Sequence, residues 1–338
     1  MINYSERFFA LLAEYLDPKL KIADVVADVL DISKDAAYRR LRGETDLGLA
    51  EALQLSHHAG FSLSALEASH QGTVRFSRGN FIKSFEDYET YLSQSLKQLE
   101  RIARVENHKL YYLAKDIPIF YQFAFPNLAA FKMYVWLKSL YLLPQVENRY
   151  LSLTSIPPRL VELAQKQWQV YSQINAIEIW NDTTVDSLLS QLEYYFEAGL
   201  LESKEQAEQI IEEFREMMKL IYRQSLSGHK AHPKQLKLSA KASYQLYYHE
   251  LLIMDNHLLL KMGEQGADQY FIPYGGLNYL STVDKPIIAD LEQYLDNQLK
   301  SAYLISEISE KERNQFFIRI KNRIGKLKDK IEMLDPFM

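Results

Sequence analysis

The 338-residue chain has no cysteine. Disulfides, thiolate metal sites and cysteine nucleophiles are therefore excluded, and a reducing compartment is consistent with that absence. Glycine is sparse, with 12 residues, and none has phosphate-binding spacing; Gly275-Gly276 reads as a turn. Positive charge is not in excess. The net charge of −5 argues against a protein that coats nucleic acid over its whole surface. Long uncharged apolar runs are missing too. The most apolar long stretch, Phe123 to Leu143, carries Lys132 and Lys138, whereas a spanning helix needs about 20 nearly uncharged residues. The N-terminus, Met1 to Arg7, has neither a basic start nor an apolar run of signal-peptide length. We therefore expect a cytoplasmic protein with no membrane partner.

Recognisable catalytic and metal-binding constellations are also lacking. His249-Glu250 begins a zinc-protease pattern, but position 253 is Ile where a second histidine is needed. His229 and His232 lie in a loop-like stretch without acidic neighbours, and His57-His58 reads as a helix surface. No Ser-His-Asp set can be assembled. The sequence thus predicts no enzyme activity, no cofactor and no metal.

What is present is an ordinary globular balance, 47% apolar and 25% charged, in a length suited to two or three domains. Ser5 to Leu16 spaces Phe8, Phe9, Leu12 and Tyr15 as a helix, with Ser5 as its cap. Ile22, Val25, Val26, Val29 and Leu30 form the stripe of a second helix. Asp31 follows at a turn, Ser33 is a good N-cap for a third helix, and Gly43 is placed to close that helix in a left-handed conformation. Leu49, Leu53 and Leu55 fall on a fourth helix, and Leu63 and Leu66 on a short fifth.

These residues, Ala27-x-x-Leu30-x-Ile32-Ser33, then Ala37, then Arg42-Gly43 and the closing leucines, resemble the lambda-repressor-like (Cro-like) helix-turn-helix family over about residues 5–67. Asp31 stands where that family usually has a turn glycine, and the glutamine that often opens its second helix is absent. Small residues at 27 and 37 allow two steeply crossing helices to approach closely. With Ala37 and Leu41 inward, Ser33, Lys34, Asp35, Tyr38, Arg39 and Arg42 form the candidate DNA-binding face. Arg39 would read a base and Arg42 would hold a phosphate. Against this, residues 1–70 hold seven Lys/Arg and eleven Asp/Glu, a poor balance for a nucleic-acid module. No acid falls among residues 71–83, where Arg75, Arg78 and Lys83 do.

Residues 68–79 read as a linker. The expected fold class is mainly α: a five-helix helix-turn-helix domain over 1–67, a helical region over 80–226, and an α+β region over 242–338, with 80–338 alternatively one domain. Leu110 to Leu113 and Ile117 to Phe123 suggest strands, as do Ile177 to Trp180, Tyr244 to Met254, His257 to Met262 and Gln269 to Pro273, with Asp255-Asn256 as a hairpin turn. Phe317, Ile320, Ile324, Leu327, Ile331 and Leu334 recur at heptad spacing, which suggests a homodimer seam. The 39 Tyr and Phe residues suit either a packed core or an apolar pocket for a small-molecule effector. Together these readings describe a sequence-specific regulator bound to double-stranded DNA, with a sensing and/or dimerising region. The rival is a protein–protein interaction module whose helix-turn-helix is vestigial; an enzyme of unrecognised chemistry ranks third.

Overall fold

Local capping shapes the first residues of the chain. In the computed structural model, which describes residues 3–16, 20–61, 63, 66, 74–146, 150–231, 242–251 and 253–334, Asn3 rather than Ser5 caps α1 (Tyr4–Tyr15). Its side chain accepts from the Glu6 amide at 3.2 Å. Helix α2 (Ile22–Leu30) ends where Asp31 adopts the left-handed region, φ 53° and ψ 50°, a conformation that Asp tolerates better than most residues. Ser33 Oγ then accepts from the Ala36 amide at 3.2 Å and starts α3 (Lys34–Leu41). Gly43 takes φ +71° just beyond it. Helix α4 (Leu49–Ala59) follows, and Phe61 beyond it is buried in the core. The core joins Phe8, Phe9 and Leu12 of α1 to Val26 and Ala27, Ala37 and Leu55. Leu49 and Leu53 are exposed instead, so only one of the three α4 leucines has a packing role. The expected fifth helix falls largely outside the described residues. This unit spans residues 1–74.

The second unit spans residues 75–338, and its centre is a sheet. Eight strands lie in the order β1-β7-β6-β5-β2-β3-β4-β8: β1 (Ser77–Arg78), β2 (Lys109–Leu113), β3 (Ala176–Trp180), β4 (Tyr244–Tyr248), β5 (His257–Lys261), β6 (Gln269–Tyr274), β7 (Asn278–Thr282) and β8 (Tyr303–Leu304). β2, β3 and β4 run parallel and the remaining pairs are antiparallel. Parallel neighbours need long crossovers. Helices α6 (Ile119–Phe123), α7 (Pro126–Ser139) and α8 (Pro158–Tyr171) join β2 to β3, while α9 (Asp186–Glu197) and α10 (Lys204–Ser227) join β3 to β4.

Strand alternation assigns the two faces. Leu110, Tyr112, Ala176, Leu246, Leu258 and Leu260 face the large helical core. Leu113, Ile179, Leu259 and Tyr270 meet Ile288, Leu291 and Leu295 of α11 (Lys285–Lys300) on the other side. Helices α5 (Phe85–Arg104) and α12 (Glu310–Met333) complete the described elements. Each fully buried Leu, Ile or Phe in such a core contributes about 1.5–3 kcal/mol.

This architecture corrects the expected fold class. Among the described residues, twelve α-helices accompany an eight-stranded mixed sheet, so the chain is α+β rather than mainly α with a five-helix N-terminal domain. Strands from both sides of residues 227–241, which separate the two expected regions, share the sheet, and β1 falls within the stretch read as a linker. Ile117 to Phe123 is mostly helical, because Pro118 caps the short helix α6. Asp255-Asn256 makes no hairpin: β5 pairs with β2, not with β4. The heptad stripe is spent inside the chain. Ile320, Ile324, Leu327 and Ile331 are buried in the large core, and Arg319, Arg323 and Lys330 on the same helix are ion-paired to α9 or the turn before it, through Asp182, Asp186 and Glu193. Of the stripe only Phe317, partly buried, and Leu334, exposed, lie outside that core, which leaves no continuous seam for a second copy. No helix among the described residues is long and apolar enough to cross a membrane.

Candidate functional site

Two places carry polar groups that the packing does not require. The first is the outer face of α3. Burial of Ala37 fixes the helix rotation, and Ser33, Lys34, Asp35, Tyr38, Arg39 and Arg42 are all solvent-exposed. Their charges are not equally available. Lys34 Nζ lies 2.8 Å from Asp24 of α2. Arg42 forms a two-pronged pair with Glu44, 2.7 and 3.1 Å. Arg40 does the same with Glu51 of α4, at 3.1 and 2.7 Å, while Glu51 also accepts from the Gly48 amide and so starts α4. That pair is part-buried and structural: it ties α3 to α4. Among the described residues, only Arg39 of these cations makes no direct ion pair, although Glu44 acts on it at longer range. The linker cations Arg75, Arg78 and Lys83 are exposed on the second unit.

The second place lies under the helices of the sheet unit. Leu99 and Ile102 of α5, Leu110 of β2, Leu258 and Leu260 of β5 and Phe271 of β6 wall a cavity of about 230 Å³. The apolar walls run the length of β2, while Asp116 and Asn256 line the cavity at that strand's carboxyl end. The Asp116 amide donates to Asn256 Oδ1 there at 3.2 Å. Lys132 of α7 also lines the cavity with its side chain buried. Among the described residues, its ammonium has one acceptor, Gln191 Oε1 at 2.9 Å, sits 5.1 Å from the centre of the Trp136 ring, and makes no ion pair. Desolvation lowers its pKa to about 8, with Asp116 opposing. Gln122 of α6 is 3% exposed, and its Oε1 has no hydrogen-bond partner. No motif marks either residue as part of a site. The signal in the sequence is faint: one of two Lys inside the most apolar stretch of the chain, and a Gln between aromatic residues.

A third polar group is buried, yet complete. Glu178 of β3 is wholly inaccessible and accepts from Tyr121, Tyr171 and Lys230 at 2.8, 2.7 and 2.8 Å on one oxygen. On the other it accepts from Trp180 and Tyr244 at 3.0 and 3.3 Å. The Lys230 ammonium lies over the rings of Tyr121, Tyr171 and Tyr244, 4.2–4.7 Å from their centres. Burial draws Lys230 below its ordinary range and Glu178 opposes. Both Glu178 oxygens are filled, the Lys230 charge is paired and no solvent reaches the pair, so this cage holds the crossovers on β3 and offers nothing to a ligand.

His249 is buried with Nδ1 accepting from the Leu251 amide, and His57 and His58 are exposed on α4. His229 is exposed, while His232 lies outside the described residues. Among the described residues no group of three or more metal-ligating side chains converges. Compared with known proteins, the chain matches no family model, no curated protein and no solved structure.

Proposed function

We propose that the chain is a sequence-specific DNA-binding transcriptional regulator of the lambda-repressor-like kind. It would read double-stranded DNA through α3 and use residues 75–338 for sensing, dimerisation or both. One observation carries this reading. A left-handed Asp31 turn joins two short helices whose contact point is small, leaving a capped second helix with its polar face exposed and Arg39 outside any direct ion pair. A helix so presented fits a major groove about 12 Å wide. The homodimer rests on the reader's symmetry alone, since paired recognition helices meet half-sites about 34 Å apart.

The test is binding-site selection from random or genomic DNA followed by gel-shift titration. Arg39→Ala should lower affinity for the selected site by at least about tenfold and leave non-specific binding nearly unchanged. Arg42→Ala should weaken both and flatten the salt slope by about one unit. Recovery of no preferred sequence by the wild type would remove the reading.

A second reading is favoured by the ion pairs themselves. Three of the four cations on and beside α3 are already neutralised within the chain, as suits a module that binds protein through a charged, apolar-studded surface. A failed selection alongside a retained protein partner would favour it.

A further inference from the structure

We propose that the cavity between β2, β5 and helices α5 to α9 binds a small organic acid: a compact apolar body carrying one carboxylate, with Lys132 as its anchor and Gln122 as its second polar contact. The inference deepens the reading of residues 75–338 as a sensing unit. It rests on four observations.

The first is size. A cavity of 150 Å³ accommodates benzene, so 230 Å³ admits a molecule of about ten non-hydrogen atoms. The second is the wall: leucine, isoleucine and phenylalanine side chains on three strands and α5 make its apolar part, with Ser95, Gln98, Gln167 and Tyr279 among the polar residues around them, which favours a mainly apolar body. The third is Lys132. A buried ammonium has three donors, and here only one has an acceptor among the described residues, a neutral amide. Buried charges are ordinarily paired, and an incoming carboxylate supplies both the missing acceptors and the counter-charge. The fourth is Gln122. Its amide can be turned end for end, so its unpartnered group serves a ligand as donor or as acceptor. Two buried polar groups left incomplete in one largely apolar cavity are the pattern of a pre-formed site awaiting its polar partner.

Asp116 also lines the cavity and is half-exposed. It could instead attract a cation, so an amine belongs in the test. Glu178 plays no part, because Lys230 and the tyrosines already complete it.

The experiment is isothermal titration calorimetry on the full-length protein with three matched sets. These are benzoate, phenylacetate and hexanoate; the corresponding amides; and benzylamine and hexylamine. At least one acid should bind about 10- to 100-fold more tightly than its amide, the range for a hydrogen bond to a charged group. Lys132→Met should erase that preference while circular dichroism shows the fold intact. Gln122→Leu should weaken the same acid and leave its preference over the amide. The inference is overturned if no acid binds at millimolar concentration, if amides or amines bind as well as acids, or if both variants bind as the wild type does. DNA selection is a separate measurement without ligand, so a failed titration beside a selected operator sinks this inference alone. The converse result sinks the regulator reading alone.

Discussion

Lys132 is a charge retained where a hydrocarbon would pack better. Its native pKa of about 8 lies below the ordinary lysine value of 10.5, a difference worth roughly 3 kcal/mol at most. The sign follows from proton counting. Between pH 8 and 10.5 the unfolded chain holds a proton that the native chain has lost, so wild-type stability rises with pH across that window. At pH 7 the penalty is present in full. Lys132→Met should therefore be more stable than the wild type in urea melts at pH 7, and the advantage should vanish near pH 10.5. A variant no more stable at pH 7 would show that the ammonium is effectively solvated. The Glu178–Lys230 pair should behave in the opposite way. Lys230→Met strands a buried carboxylate and should destabilise by roughly 3–5 kcal/mol. Adding Glu178→Gln removes the charge yet keeps an acceptor for the tyrosines, so the double variant should be more stable than Lys230→Met alone. If it is less stable, the charge is not what makes the single change harmful.

Among the elements, α3 and α12 each use their charges differently from what their composition suggests. On α3, Glu44 holds Arg42 and would compete with a phosphate for it. Glu44→Gln should raise affinity for all DNA sequences alike and steepen the salt dependence, read from gel shifts at several salt concentrations. Unchanged affinity would mean that Arg42 does not approach the backbone. Helix α12 has its apolar stripe in the core and several of its cations on α9. Leu327→Asp should therefore unfold the sheet unit rather than split a dimer. Circular dichroism and light scattering separate the two outcomes, and a folded monomer would restore the seam.

Across the molecule, local signals were easy to read and distant pairings were not. Ser33, Asp31 and Gly43 announce α3 because capping and left-handed turns are decided within a few residues. Helix α8 could be bounded from Pro158 and its apolar spacing alone. The two-residue strands β1 and β8 leave no period to detect, and they exist only because β7 and β4 offer edges to pair with. The heptad at α12 was visible, but spacing cannot say whether a stripe meets a second copy or the same chain. The cavity was less legible still. Its residues come from α5 to α9 and from strands on both sides of residues 227–241, and nothing in a linear reading brings Gln122, Lys132 and Asn256 together. Glu178 did leave a mark, as the lone acid in Ala-Ile-Glu-Ile-Trp; a charge in a fully buried strand implies a partner, though not where that partner lies.

The strand order has a consequence for synthesis on the ribosome. β2 emerges early, yet its neighbour β5 begins at His257, and β1 waits for Ser281 of β7. Until then Leu110, Tyr112 and the helical crossovers have an open sheet edge, the kind of surface that chaperones hold. Nascent chains arrested with residues up to about 250 outside the exit tunnel should cross-link to a hydrophobic-segment chaperone, and chains released beyond Leu334 should not. Vectorial synthesis would thus leave the centre of this sheet unguarded for more than a hundred residues of translation, and the organism making it would need a holdase ready during that interval.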